Sequence, residues 1–143
     1  MNFLKYLAAS IVAIFAPAKA LLISVGFLIF ADLVMGVWAA KKRGEHISSA
    51  ALRRTVSKAA VYQVTILSGF LVEQYMLGGI LPVSKIVAST IGLFELKSIL
   101  ENSDSILGYS LFKLVISKLG SDNDSLKAEI AEQVKNAVKK QLE

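Results

Sequence analysis

Three long apolar runs separated by short polar stretches dominate the pattern along the chain. The first, ALLISVGFLIFADLVMGVWAA (Ala20–Ala40), is interrupted by a single charge, Asp32. As a helix it would be roughly 31 Å long, enough to cross the hydrocarbon core of a bilayer. The second, AAVYQVTILSGFLVEQYML (Ala59–Leu77), carries only Glu73. The third, ILPVSKIVASTIGLFELKSIL (Ile80–Leu100), is more polar and contains Lys85, Glu95 and Lys97. GGILP at Gly78–Pro82 is turn chemistry, so the second and third runs read as a tight helical hairpin. Neither strand alternation nor an internal repeat is visible. The pattern therefore predicts an all-α membrane protein, with a transmembrane domain over residues 20–100 and spans near 20–40, 59–77 and 80–100.

The two ends differ from this core. FLKYLAASIVAIFAPA has the apolar length of a signal-peptide core, and Ala16-Pro17-Ala18 imitates a small-residue cleavage site. Lys5 is its only basic residue, however, and Leu4, Leu7, Ile11 and Ile14 share one helical face. Residues 1–18 are thus expected to form an interfacial or short spanning helix, separated from the first full span at Pro17. ILGYSLFKLVISKLG (Ile106–Gly120) carries an apolar stripe with Lys113 and Lys118 placed to reach phosphates, as in an amphipathic helix on a membrane surface. In the tail, 121–143, Leu126, Ile130, Val134, Val138 and Leu142 recur every four residues. Asp122 and Asp124 at its start and Lys135, Lys139 and Lys140 near its end match a helix dipole. That narrow stripe suits pairing with another helix, for oligomerisation or docking.

Composition supports lipid as the solvent. In a chain of 143 residues, 55% are hydrophobic, and the mean hydropathy is +0.59. A soluble domain of this size could not hide that much apolar surface. The 16 basic and 11 acidic residues give a net charge of +5. In a soluble chain this would suggest nucleic acid, but in a membrane chain the placement of the charges matters more, and no nucleic-acid partner is expected. The loop 41–58 holds Lys41, Lys42, Arg43, Arg53, Arg54 and Lys58 against one acid, Glu45. The positive-inside bias places this loop in the cytoplasm, the Gly78–Pro82 turn outside, and the C-terminus back in the cytoplasm. The same cations can meet anionic lipid headgroups. Gly44 suits a helix stop, and Ser48 or Ser49 a helix cap.

Charges inside lipid need partners, because one carboxylate at a helix centre costs about 2.5–3.5 kcal/mol on insertion scales. Asp32 lies about 13 Å inward from Lys41 at helical rise, and Lys97 approaches the same depth from the third span. An Asp32–Lys97 contact is therefore expected, and a Glu73–Lys85 contact across the outer turn. Glu95 is left without an evident partner, while Lys97 and Glu101 can pair along one helix. Asp32, Gly36 and Ala40 share a stripe, and Ala88 with Gly92 forms a small-residue pair that permits close helix approach. Such groups either hold a bundle together or line a water-filled path after assembly. The chain has no cysteine, its one histidine (His46) sits in the polar loop, and no catalytic, nucleotide-binding or metal-binding pattern occurs. A non-enzyme without cofactor or metal is expected.

The run DLVMGVWAAKKRGEHISSAALRRTVSKAAVY, Asp32 to Tyr62, resembles the small phage holins, the family that includes toxin-secretion and phage-lysis holins. The resemblance rests on an intramembrane Asp32, Gly36 four residues later, the basic Lys41–Arg43, the turn at Ser48–Ser49, and Lys58 before the next span. ELKSILEN, Glu95 to Asn102, is similar to a segment of versions from phages of Bacteroidetes hosts. The likeness covers roughly Leu22 to Gly120. It implies a homo-oligomer in the host cytoplasmic membrane that opens it for phage lysis or protein release, acting on a phage endolysin indirectly. The alternative from another class is a membrane anchor or scaffold whose cytoplasmic helices dock a soluble partner assembly. A small ion channel or transporter subunit is a third reading.

Overall fold

The structure is a computed structural model that describes residues 2–119 and, in the tail, 128, 131, 132, 134–136, 138 and 139. Among these residues there are helices and no strand. Five α-helices follow one another: α1 (Asn2–Phe15), α2 (Lys19–Lys42), α3 (Ser49–Leu71), α4 (Val83–Leu107) and α5 (Leu111–Leu119).

Pro17 does not interrupt the chain as expected. Between α1 and α2 lies one 3-10 turn, Ala16–Ala18, with right-handed helical backbone at Phe15 and Lys19 on either side. Proline is tolerated near the start of a helical turn, where its missing N–H is not needed. Phe3–Lys42 therefore forms one helical run long and apolar enough to cross a membrane, and Ser49–Met76 is the second such run. α4 has the length of a span, but its charges keep it out of that class.

The first loop is built by its caps. Gly44 takes φ 73°, the left-handed conformation that ends helices. Its N–H bonds to the Lys41 carbonyl at 3.1 Å and the Glu45 N–H to that of Ala40 at 2.9 Å. This pair of bonds satisfies the last carbonyls of α2. Ser48 Oγ accepts from the Ala51 N–H at 3.3 Å and opens α3.

The second loop follows a π-helical turn, Val72–Met76, and turns through Gly78 and Gly79, both at positive φ. α4 then begins at Val83 and runs seven residues beyond the expected end at Leu100. The amphipathic segment is correspondingly shorter than Ile106–Gly120. Ile106 and Leu107 belong to α4, with Ile106 buried, and Gly108 at φ 80° makes the break. Asp104 holds that corner: Oδ1 accepts from the Leu111 N–H at 2.6 Å and Oδ2 from Ser110 Oγ at 2.9 Å. Ser110 Oγ in turn accepts from the Lys113 N–H at 3.2 Å, capping α5.

The chain divides into two compact units, Met1–Ile29 with Arg53–Leu93, and Phe30–Leu52 with Phe94–Glu143. The first is centred on Val25, Ile29, Ile66, Ala88 and Ile91, with Leu21, Leu22, Ala59, Tyr62 and Val87 packed around them. Phe15 and Phe70 stack at 6.2 Å in a tilted geometry and tie the 3-10 turn to the end of α3. The second unit joins the loop end of α2 to the C-terminal part of α4. The Lys42 ammonium donates to the Ile106 carbonyl there, meeting one of the last carbonyls of α4.

Candidate functional site

Large apolar side chains are exposed along the helices, and several polar ones are buried beside the apolar core. Ile23, Phe27, Phe30, Val34 and Trp38 follow each other at spacings of three and four along α2, and all are exposed. Val56, Val61 and Val64 on α3 and Ile86, Leu93 and Phe94 on α4 are exposed as well. Buried instead are Glu73, Ser84, Glu95 and Ser103. Contiguous exposed apolar faces of this extent need a partner or a lipid phase. Buried polar groups, for their part, must find hydrogen bonds within the protein.

In the second unit the Asp32 carboxylate is met by Asn102, whose Nδ2 donates to Oδ1 at 3.1 Å. Gly36, one turn further along α2, faces the same amide: a Cβ there would lie 3.5 Å from Nδ2. The expected Asp32–Lys97 contact is not formed. Lys97 instead pairs with Glu101 at 2.8 Å along α4, with both side chains more than half exposed. Lys97 and Asn102 are five residues apart, so they point about 140° apart around the helix. Asn102 also lies about 7.5 Å further along α4 than Lys97, so both rise and rotation separate the two positions. Glu95 is buried, at 2% exposure, and it too takes part in a polar interaction.

In the first unit the Glu73 carboxylate is bound by Ser84. Oε2 accepts from the Ser84 N–H at 3.0 Å and from Ser84 Oγ at 2.5 Å, while Gln74 Nε2 lies 3.4 Å from Oε1. The expected Lys85 partner contributes only a coulombic attraction. The reason lies in the start of α4, where the second-position N–H has no partner within the helix and the dipole attracts a negative charge. Gly69 lies against the start of α4, where a Cβ would make ordinary contact with the Ser84 backbone at 3.5 Å. Ala88 is buried, and a Cβ on Gly92 would touch the Leu28 side chain at 3.4 Å. Gln63, which sequence reasoning missed, donates from Nε2 to the Leu22 carbonyl at 3.1 Å beside Gly26. Its buried Oε1 has no hydrogen-bond partner.

The basic loop is mostly open. Lys41, Lys42, Arg43, Arg53 and Arg54 are exposed, whereas Lys58 is half-buried and takes part in a polar interaction. Arg43 forms a two-pronged ion pair with Glu45, Nε to Oε1 at 2.7 Å and Nη2 to Oε2 at 2.9 Å. Those hydrogen bonds hold the Glu45 carboxyl below the usual carboxylate range and raise Arg43 above its ordinary value. The side chain of Lys118 lies outside the described residues, as do Leu126, Ile130 and Leu142 of the tail stripe. Val134 and Val138 lie in helix.

Asn102 and Ser84 are the polar partners the pattern of charges did not reveal. Asn102 fell outside the expected third span because the helix was ended at Leu100. Its signal was available in the helix-forming run that continues from Glu101 to Leu107 without glycine or proline.

These contacts pin helices together, and among the described residues no cluster of His, Cys, Asp or Glu able to hold a metal ion is found. No match was found among curated proteins or among solved structures. The model of the bacteriophage holin family matches residues 9–119, a stretch that takes in both polar helix contacts and the basic loop; the chain belongs to that family.

Proposed function

We propose that the chain inserts in the bacterial cytoplasmic membrane, assembles there with copies of itself, and permeabilises the membrane so that a phage cell-wall hydrolase is released or activated. One observation carries this beyond family membership. Glu73, Ser84, Glu95 and Ser103 are buried while large apolar side chains are exposed along α1, α2, α3 and α4. Polar groups at membrane depth normally face a bundle interior or a water-filled path, and a lesion formed by several copies would recruit the same helix faces.

The topology that fits is a cytoplasmic 43–48 loop, an outward Gly78–Pro82 turn and α4 as a third crossing, with α5 on the cytoplasmic leaflet. Since the chain has no cysteine, single cysteines test it directly. Ile47→Cys and Ser105→Cys should resist a membrane-impermeant maleimide in intact cells, and Ile80→Cys should react. Reaction at Ser105→Cys would remove α4 as a crossing.

The function is tested by inducible expression with a potential-sensitive dye. Potential should collapse after a delay, and cells should lyse only when a hydrolase is co-expressed. Intact potential and viability with the chain in the carbonate-resistant membrane fraction would refute the proposal.

A further inference from the structure

We infer that a groove at the loop end of α2 binds the headgroup and upper acyl chain of one anionic glycerophospholipid. This rests on the membrane reading above and assigns that surface a ligand. The groove, ≈ 610 Å³ in volume, is lined by Val34, Val37, Trp38, Lys41 and Lys42. These are positions i, i+3, i+4, i+7 and i+8 of one helix, so they form a single stripe about 12 Å long. Along that stripe the chemistry passes from aliphatic to indole to ammonium. A glycerophospholipid presents the complementary order of acyl chain, ester region and phosphate.

Charge decides for an anionic lipid. The Lys41 side chain has no hydrogen bond or ion pair among the described residues, so its ammonium is available to a phosphate. The Lys42 ammonium is fixed at the rim by its bond to the Ile106 carbonyl, which positions a second cation. Arg43, the next cation along the chain, is occupied by Glu45 and does not compete. Val34 and Trp38 remain 46% and 57% exposed, which leaves apolar surface at this end open to an acyl chain. Tryptophan is favoured at the level of lipid headgroups, which is the depth the site requires. A second copy of the chain would have to bring an acid to Lys41, and the one acid of this loop, Glu45, is already paired.

Trp38 is the only tryptophan in the chain, so its fluorescence reads this groove and nothing else. The full chain is reconstituted in phosphatidylcholine–phosphatidylglycerol vesicles, with bromines placed on the acyl chains of one lipid or the other. Brominated phosphatidylglycerol should quench Trp38 as though enriched about fivefold over its bulk fraction, in line with the attraction of one lysine for an anionic headgroup. Lys41→Gln should bring quenching by the two lipids close to parity, and Lys41→Arg should keep the preference. Equal quenching by both lipids in the unaltered chain would mean bulk lipid only, and would overturn the site. So would weak quenching by both combined with Trp38→Cys disulfides between copies, which would make this face a protein contact. If the vesicles also become leaky, the site alone falls and the permeabilising function stands. A chain that neither inserts nor causes leakage would defeat both.

Discussion

Asn102 Nδ2 donates to Asp32 Oδ1 at 3.1 Å, and Gly36 leaves the space into which that amide fits. The Asp32 carboxylate is thereby joined to an amide on another helix.

The strength of this contact can be measured. Side-chain hydrogen bonds between membrane helices contribute about 0.6 kcal/mol on average and about 1.7 kcal/mol at most. A double-mutant cycle of Asp32→Ala and Asn102→Ala, read by steric-trap or SDS unfolding, should give a coupling in that range. Gly36→Ala should be close to neutral, since its Cβ would make an ordinary contact. Gly36→Leu should shift oligomer size or the timing of membrane opening. Zero coupling together with wild-type behaviour of Gly36→Leu would show that this contact is incidental.

Glu73 acts as a cap supplied from another helix. Glu73→Leu leaves the Ser84 N–H unsatisfied, and an uncapped helix start costs about 0.5–2 kcal/mol. Hydrogen exchange at Ser84 and its neighbours should accelerate about two- to thirty-fold, while exchange in the middle of α3 stays unchanged. Ser84→Ala, which keeps the backbone bond, should have the smaller effect.

Gly44 tests the loop without touching any packing, because a Cβ there would meet nothing within 4 Å. Gly44→Ala should still destabilise by about 1–2 kcal/mol, since a side chain is strained at that left-handed φ. Unfolding in detergent micelles would register it, and an unchanged midpoint would contradict the helix-ending role of Gly44.

The Arg43–Glu45 pair should respond to pH in one direction. Its carboxyl is depressed in the folded chain, so the contact is complete above the ordinary glutamate range and is lost as pH falls through the depressed value. NMR titration of the Glu45 side-chain carbon in micelles should show a midpoint below that of a model glutamate. Arg43→Gln or high salt should return it towards the ordinary value, because both groups are exposed and screened.

Much of this architecture was legible in the order of residues. The apolar runs are long because each must satisfy its backbone within a helix across lipid, and that constraint writes itself into composition. Gly44 and Ser48 were readable for a local reason, since a left-handed turn and a cap depend on a few neighbouring residues. The presence of polar groups within the apolar runs was equally plain at Asp32 and Glu73. Their partners were not. Depth follows from counting residues along an axis, but a partner depends on which way each helix is turned. A five-residue step from Lys97 to Asn102 changes that direction by about 140°. The Glu73 contact was hidden differently, because beside the Ser84 hydroxyl one of its donors is a backbone N–H left over at the start of α4, which no side-chain pattern displays. Sequence alone therefore determined an all-helical membrane chain with a basic loop and charges at stated positions. Only the tertiary structure decided that Asn102 and Ser84 receive those carboxylates, because helix rotation and unsatisfied backbone groups become visible only when the helices are packed.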